Sequence, residues 1–138
     1  MDTFNKTFYD SKKKLFRDSE NSEHVSLVGN SFVYGFGLCP NEDCKKNILK
    51  LIDENGIASL SFFCTFPILM RFSKDGEDER MKAALLNSDA WKRMLREDAT
   101  TTFEGWGKDT KWNTSLFHLT MSYAAIFLAD VDLKALFE

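Results

Sequence analysis

Twelve residues from Asp53 to Cys64, DENGIASLSFFC, constrain this chain more than any other stretch. They join an amphipathic helix, apolar at Ile48, Leu49, Leu51 and Ile52, to an apolar run from Phe62 to Phe72. A helix–loop–helix unit built on this connection would place both apolar faces on one shared core. The second segment holds Pro67 and is too short for periodicity alone to separate a helix from a buried strand. With 138 residues there is chain for one domain or two very small lobes. Thirteen Phe and three Trp supply apolar area that a lobe of about 65 residues would otherwise lack.

The remaining pattern is mainly helical. Residues 2–16 read as a helix with a stripe of Phe4, Phe8, Leu15 and Phe16, capped by Asp2 or Thr3. A polar loop, 17–26, precedes a helix over 27–38 carrying Phe32, Val33 and Phe36. Pro40 stops the chain, and Pro-Asn-Glu-Asp opens the helix that runs to Ile52. Residues 72–79, FSKDGEDE, form a charged linker. Helices follow over 78–86 and 88–98, then a loop over 99–112. A helix capped by Asn113 or Thr114 runs to Leu128, and a tail helix covers Asp130 to Phe137. The composition break divides the chain into an N-terminal lobe, 1–72, a linker, 73–79, and a C-terminal lobe, 80–138. Apolar positions recur 36 residues apart, Leu15 and Phe16 with Leu51 and Ile52, and Phe36 with Phe72, as two repeated helix–loop–helix units would require.

Several function classes find no support. A net charge of −3 lacks the basic stripe of a nucleic-acid binder. The apolar runs near 60–72 and 121–128 are too short and interrupted to cross a bilayer, and MDTFNKTFYD lacks the apolar core of a secretion signal. Three cysteines, Cys39, Cys44 and Cys64, read as reduced thiols of an intracellular protein, and Cys39-x4-Cys44 has no nearby His to complete a zinc site. His24 and His118 are the only histidines, and neither is placed by sequence beside a cysteine, so no catalytic residues are assigned. Gly105-Trp106-Gly107 lacks the Lys-Ser/Thr of a phosphate loop. Trp106 and Trp112 read as pinning their loop onto the second lobe.

The succession Phe36-Gly37-x-x-Pro40, Glu42, Ile48-Leu49-x-x-Ile52-Asp53, Leu60-x-Phe62 and Leu69-x-Arg71 resembles the calmodulin and myosin light-chain family of EF-hand proteins. The likeness runs without a gap from about Leu15 to Arg71. More loosely, Leu86 to Glu97 resembles the helix entering the fourth hand, and Asn113 to Met121 its exit helix. A calcium loop of that family takes oxygen ligands at positions 1, 3, 5, 7 and 9, Gly at 6 and a bidentate Glu at 12. Counted from Asp53, position 5 is Ile57, position 6 Ala58 and position 12 Cys64. The first loop begins at Arg17 and ends at Val28, and Leu116 stands at the corresponding place of the fourth hand. All three lack the twelfth carboxylate, so no metal ligands and no cofactor are assigned.

The resemblance implies an all-α protein of degenerate EF-hand pairs in two lobes. Its implied role is that of a calcium-independent light chain, with no enzymatic activity, gripping an amphipathic IQ-type helix of a larger partner, most specifically a myosin heavy-chain neck. Such binding seats apolar anchors of the target in a groove. The groove residues it implies are Phe16, Phe32, Phe36, Ile48, Leu49, Ile52, Phe62 and Leu69 in the first lobe, with Trp91, Met94, Leu95, Phe117 and Met121 in the second. Phe is stiffer than Met, which makes the surface selective rather than adaptable. The implied location is the cytoplasm, at the cytoskeleton, without membrane insertion. A reading of a different class is a small acidic α/β inhibitor or immunity-type protein, in which Phe62 to Phe72 is a core strand.

Overall fold

The computed structural model describes residues 2–128. The tail helix expected over 130–137 lies outside them. Helix α1, Asp2–Phe8, leads into a hairpin of β1, Tyr9–Asp10, and β2, Leu15–Phe16. The strands pair antiparallel, Tyr9 opposite Phe16 and Asp10 opposite Leu15. Then come α2, Leu27–Gly35, α3, Glu42–Asn55, and α4, Phe62–Asp75. Beyond them α5, Asp78–Lys82, runs into a π-helical turn, Ala83–Asn87. After it lie α6, Trp91–Arg96, and, past a long irregular segment, α7, Ala124–Leu128. The described chain is thus mostly helical.

The hairpin replaces the second half of the helix expected over 2–16. Its cause is Asp10, whose Oδ1 accepts the backbone N–H groups of Lys12 at 2.9 Å and Lys13 at 3.0 Å. An aspartate that satisfies its own downstream amides competes with helix propagation. Lys14 completes the turn at φ 54°. The aromatic stripe still meets itself, because the hairpin folds Phe16 onto Phe4, with ring centroids 5.1 Å apart.

Helices α2, α3 and α4 enclose the core. α3 begins where Asn41 accepts the Cys44 amide at 2.9 Å and ends at Gly56, whose φ of 75° turns the chain. Its apolar face buries Cys44, Ile48, Leu49 and Ile52. The segment from Phe62 to Phe72 is helix, not the core strand of the inhibitor reading. Pro67 cannot donate to the carbonyl four residues back. Nearby, Thr65 Oγ1 and the Tyr123 hydroxyl both donate to the Phe62 carbonyl, at 2.8 and 2.9 Å. Burial of Tyr123 pushes its phenol up to about 12. Where α2 crosses α4, a Cβ on Gly35 would lie 2.8 Å from Pro67 Cβ. Gly35→Ala is therefore expected to cost about 1–3 kcal/mol by overpacking, read as a lower denaturant midpoint.

The expected linker over 73–79 is largely helical. α4 extends to Asp75, Gly76 caps it in a left-handed conformation, and α5 starts at Asp78. The second half packs directly on α4. Trp106 Nε1 donates to the Leu60 carbonyl at 2.6 Å, and Phe66 meets Tyr123 edge-on at 5.2 Å. One hydrophobic cluster contains residues from both halves. The helix expected over 113–128 forms only near its end. Glu104 donates its amide to Ser115 O at 2.8 Å and His118 its amide to Thr102 O at 2.7 Å, which holds 115–118 extended against 102–104. The expected helix over 88–98 shortens to α6: Ala90 is non-helical at its start, and Asp98 turns left-handed at φ 56° just past its end.

Candidate functional site

Between α1, β2 and α2 lies a cavity of about 490 Å³, walled by Phe4, Phe8, Phe16, Val28, Phe32, Val33, Phe36 and Leu38. Its size falls in the range of ligand pockets. Arg17 and Asp18 stand at its polar edge. Its walls follow from local chemistry. Ser26 caps α2 by accepting the Gly29 amide at 3.0 Å, and its own amide donates to Asp18 at 3.0 Å. Hydrogen bonds from His24 and Ser26 hold the Asp18 carboxyl below its usual range. Arg17 Nη2 donates to the Thr7 carbonyl at 2.9 Å, which ties the end of α1 to the residue that follows β2.

The far wall is fixed by Asn30, fully buried within α2. Its Oδ1 accepts the Phe16 amide at 2.8 Å. Its Nδ2 donates to the Phe16 carbonyl and the Ser26 carbonyl, both at 2.9 Å. A helical side chain thus acts as the second partner of a two-residue strand. Phe32 and Phe36, one turn apart, stack at 5.9 Å, and Phe36 remains 64% exposed at the rim.

The structure gathers three of the thirteen sequence-assigned groove residues, Phe16, Phe32 and Phe36, around this cavity. Ile48, Leu49, Ile52 and Leu69 are buried in the three-helix core and present no surface to a partner. Phe62 and Met121 line a separate cavity of about 370 Å³ beside Phe63 and Trp106. Trp91 packs edge-on against Trp106 at 4.9 Å and donates to the Met121 carbonyl at 2.8 Å. Met94 is buried, while Leu95 and Phe117 are exposed. The thirteen therefore do not share one groove. Phe4, Phe8, Val28, Val33 and Leu38 belong to the site and were not assigned to it, although Val33 reads in sequence on the same helix stripe as Phe32 and Phe36. Phe4 and Phe8 carried a signal in their four-residue spacing, whereas Val28 and Leu38 carried none.

The positions that the resemblance sets against a calcium loop are otherwise engaged. Asp53 is held by Arg80, with Nε on Oδ1 at 3.0 Å and Nη2 on Oδ2 at 2.9 Å. Ala58 lies in a 3₁₀ turn, and Cys64 is buried. Among the described residues, no three His, Cys, Asp or Glu side chains cluster as a metal site. His24 pairs through Nδ1 with Asp18, and His118 sits edge-on to Phe62 at 5.6 Å. Among the described residues, no helix is long and apolar enough to cross a membrane.

Behind α2, Asp75 accepts from Lys45 Nζ at 2.6 Å and faces Arg71 Nε at 2.8 Å. The Tyr34 hydroxyl donates to it at 3.3 Å. Burial opposes its ionisation, but the bonds from Lys45 and Arg71 prevail and its pKa lies below the ordinary 3.8. A depressed carboxyl stabilises the fold above its unfolded pKa and loses that contribution as pH falls through the folded value. Asp75→Asn is therefore expected to lower stability at pH 7 and to flatten part of the decline below about pH 4, measured as denaturant midpoint against pH.

Comparison with known proteins finds no match among protein-family models, curated proteins or solved structures.

Proposed function

We propose that this protein is a non-catalytic, calcium-independent binding subunit that holds an amphipathic helix of a larger partner at the phenylalanine-walled cavity. The observation that carries this reading is the cavity itself, with Phe36 standing 64% exposed at its rim in front of half-buried Phe32. An apolar recess edged by Arg17 and Asp18 suits a helix that offers apolar anchors on one face and charged groups beside them. Stiff aromatic walls favour one shape of anchor over many. The engagement of Asp53 by Arg80 and the burial of Cys64 support independence from calcium. The specific partner that the light-chain resemblance implies is an IQ-type helix of a myosin heavy-chain neck, placing the protein at the cytoskeleton.

Calorimetric titration with an IQ-type helical peptide tests this. One peptide is expected to bind per chain, with the same affinity in chelator and in millimolar calcium. Saturable calcium binding at micromolar concentration, or peptide binding only in calcium, contradicts the reading.

A second reading, contact with a partner through exposed aromatic residues rather than through the cavity, rests on a different surface. Phe63, Trp112, Phe117 and Leu119 are exposed, Trp112 by 96%. Exposed Trp is enriched at interface hot spots. Trp112→Ser separates the two readings. It leaves peptide binding unchanged if the Phe cavity is the site, and abolishes partner capture if the Trp112 surface is.

A further inference from the structure

The cavity of about 370 Å³ lies between the start of α4 and the irregular segment 104–111, and helix binding does not use it. Leu60, Phe62, Phe63, Trp106 and Met121 supply its apolar lining. Leu60, Trp106 and Met121 are buried and form the inner wall, while Phe63 is 70% exposed and stands at the mouth. Local contacts shape the wall opposite α4. Residue 105 is glycine, where a Cβ would lie 2.7 Å from Thr110 Cβ, so the segment closes tightly on itself. Trp106 Nε1 donates to the Leu60 carbonyl at 2.6 Å, which joins the two walls and leaves the ring carbons of the indole to line the cavity.

The polar groups of the lining are engaged with the protein. Ser59 Oγ donates to the Asn55 carbonyl at 2.6 Å, and Thr110 Oγ1 donates to the Gly107 carbonyl at 2.8 Å. Ser61 Oγ lies 3.4 Å from Cys64 Sγ. Lys111 Nζ donates to Glu104 Oε1 at 2.6 Å, and the Ser115 amide donates to Glu104 Oε2 at 3.1 Å. Those two bonds, the one from Lys111 first, hold the Glu104 carboxyl below its usual range, so the ion pair stands at neutral pH.

We propose that this cavity is a binding site for an uncharged aromatic small molecule of two or three rings. Its walls select the chemistry. Phe62, Phe63 and Trp106 offer ring faces and edges to a flat ligand, and the Met121 thioether packs favourably against an aromatic ring. A polar group on the ligand costs free energy when buried without a partner, and here the Ser59 and Thr110 hydroxyls and the Trp106 N–H already have theirs. A net charge fares no better. Lys111 and Glu104 cancel, so an ionic ligand gains from one what it loses to the other. The volume lies at the lower end of small-ligand pockets, about 300–1,000 Å³, which sets the size at two or three rings. Among the described residues, none lines both this cavity and the phenylalanine-walled one, so the site stands apart from helix binding.

Titration of the full chain with N-phenylnaphthylamine, read by probe emission and by NMR, tests the proposal. Saturable binding is expected, with the emission rising and moving to the blue. The Met121 methyl and the Trp106 indole proton are expected to shift, while the Val28 and Leu38 methyls of the other cavity stay in place. Ethylnaphthalene is expected to displace the probe at a concentration at least about tenfold lower than naphthoate or naphthylmethylammonium, which share its ring system and carry a charge. Phe63→Ser is expected to weaken probe binding by about fivefold, the effect of one aromatic contact, with an unchanged denaturant midpoint because the side chain is exposed. The wild-type chain carries the test even where the variant fails to fold. Absence of saturable binding, shifts confined to Val28 and Leu38, or naphthoate binding as tightly as ethylnaphthalene overturns the proposal.

Discussion

Asn30→Leu is expected to lower folding stability by about 2–4 kcal/mol, although leucine has the same number and branching of side-chain heavy atoms as asparagine. The loss comes from the hairpin rather than from packing. Asn30 is the side-chain partner of both the Phe16 amide and the Phe16 carbonyl. Leucine removes both bonds and leaves those groups buried beside an apolar side chain. An unmet buried polar group costs more than a hydrogen bond gains. Part of the loss can be avoided if β2 lifts from α2, which opens the cavity wall at Phe16. The variant is therefore expected to show a lower denaturant midpoint together with faster amide exchange at Phe16 and Arg17. An unchanged midpoint would show that the hairpin does not depend on Asn30.

Phe36→Asp is expected to weaken helix binding by about thirtyfold or more, the effect of losing a hot-spot anchor worth about 2 kcal/mol. Folding should change little. Phe36 is 64% exposed, so the carboxylate reaches water without being buried. Phe32, its stacking partner, is half-buried and keeps its contacts with the core. The corresponding change at Leu69 gives no such separation. That side chain is fully buried between helices, and a charge there unfolds the protein instead of testing the groove. Equal peptide affinity for wild type and Phe36→Asp would remove the rim of the cavity from the site.

How far the sequence could be read depended on where each segment finds its hydrogen-bond partners. The start and the apolar face of α3 were legible because their determinants are local: Pro40 and Asn41 before it, apolar residues at helical spacing within it. Its end was misplaced by one turn, since the last polar turn is held by Arg80, which lies 27 residues away. The hairpin was hidden because Asp10 looks like any polar residue on a helix face until its carboxylate turns onto Lys12 and Lys13. The exit helix over 113–128 was overdrawn because the segment 115–118 finds its partners at 102–104. The same distinction applies to the site. Phe32 and Phe36 were legible as a stripe on one helix. That Phe16 lines the same cavity, and that Leu69 does not, depends on Asn30 and on the close crossing of Gly35 over Pro67. The repeat of 36 residues described apolar positions of which Phe72 is core and Phe36 is rim.

The central claim is that the cavity edged by Phe36 receives an apolar helix without calcium. Its most direct measurement is the NMR footprint of an IQ-type helical peptide titrated into the full chain in calcium chelator. The expected result is a saturable one-to-one shift of the Phe32 and Phe36 rings and the Val28 and Leu38 methyls, absent in Phe36→Asp, while resonances around Trp112 stay in place. No shift at these residues, or a shift centred on Trp112 and Phe117, would contradict it.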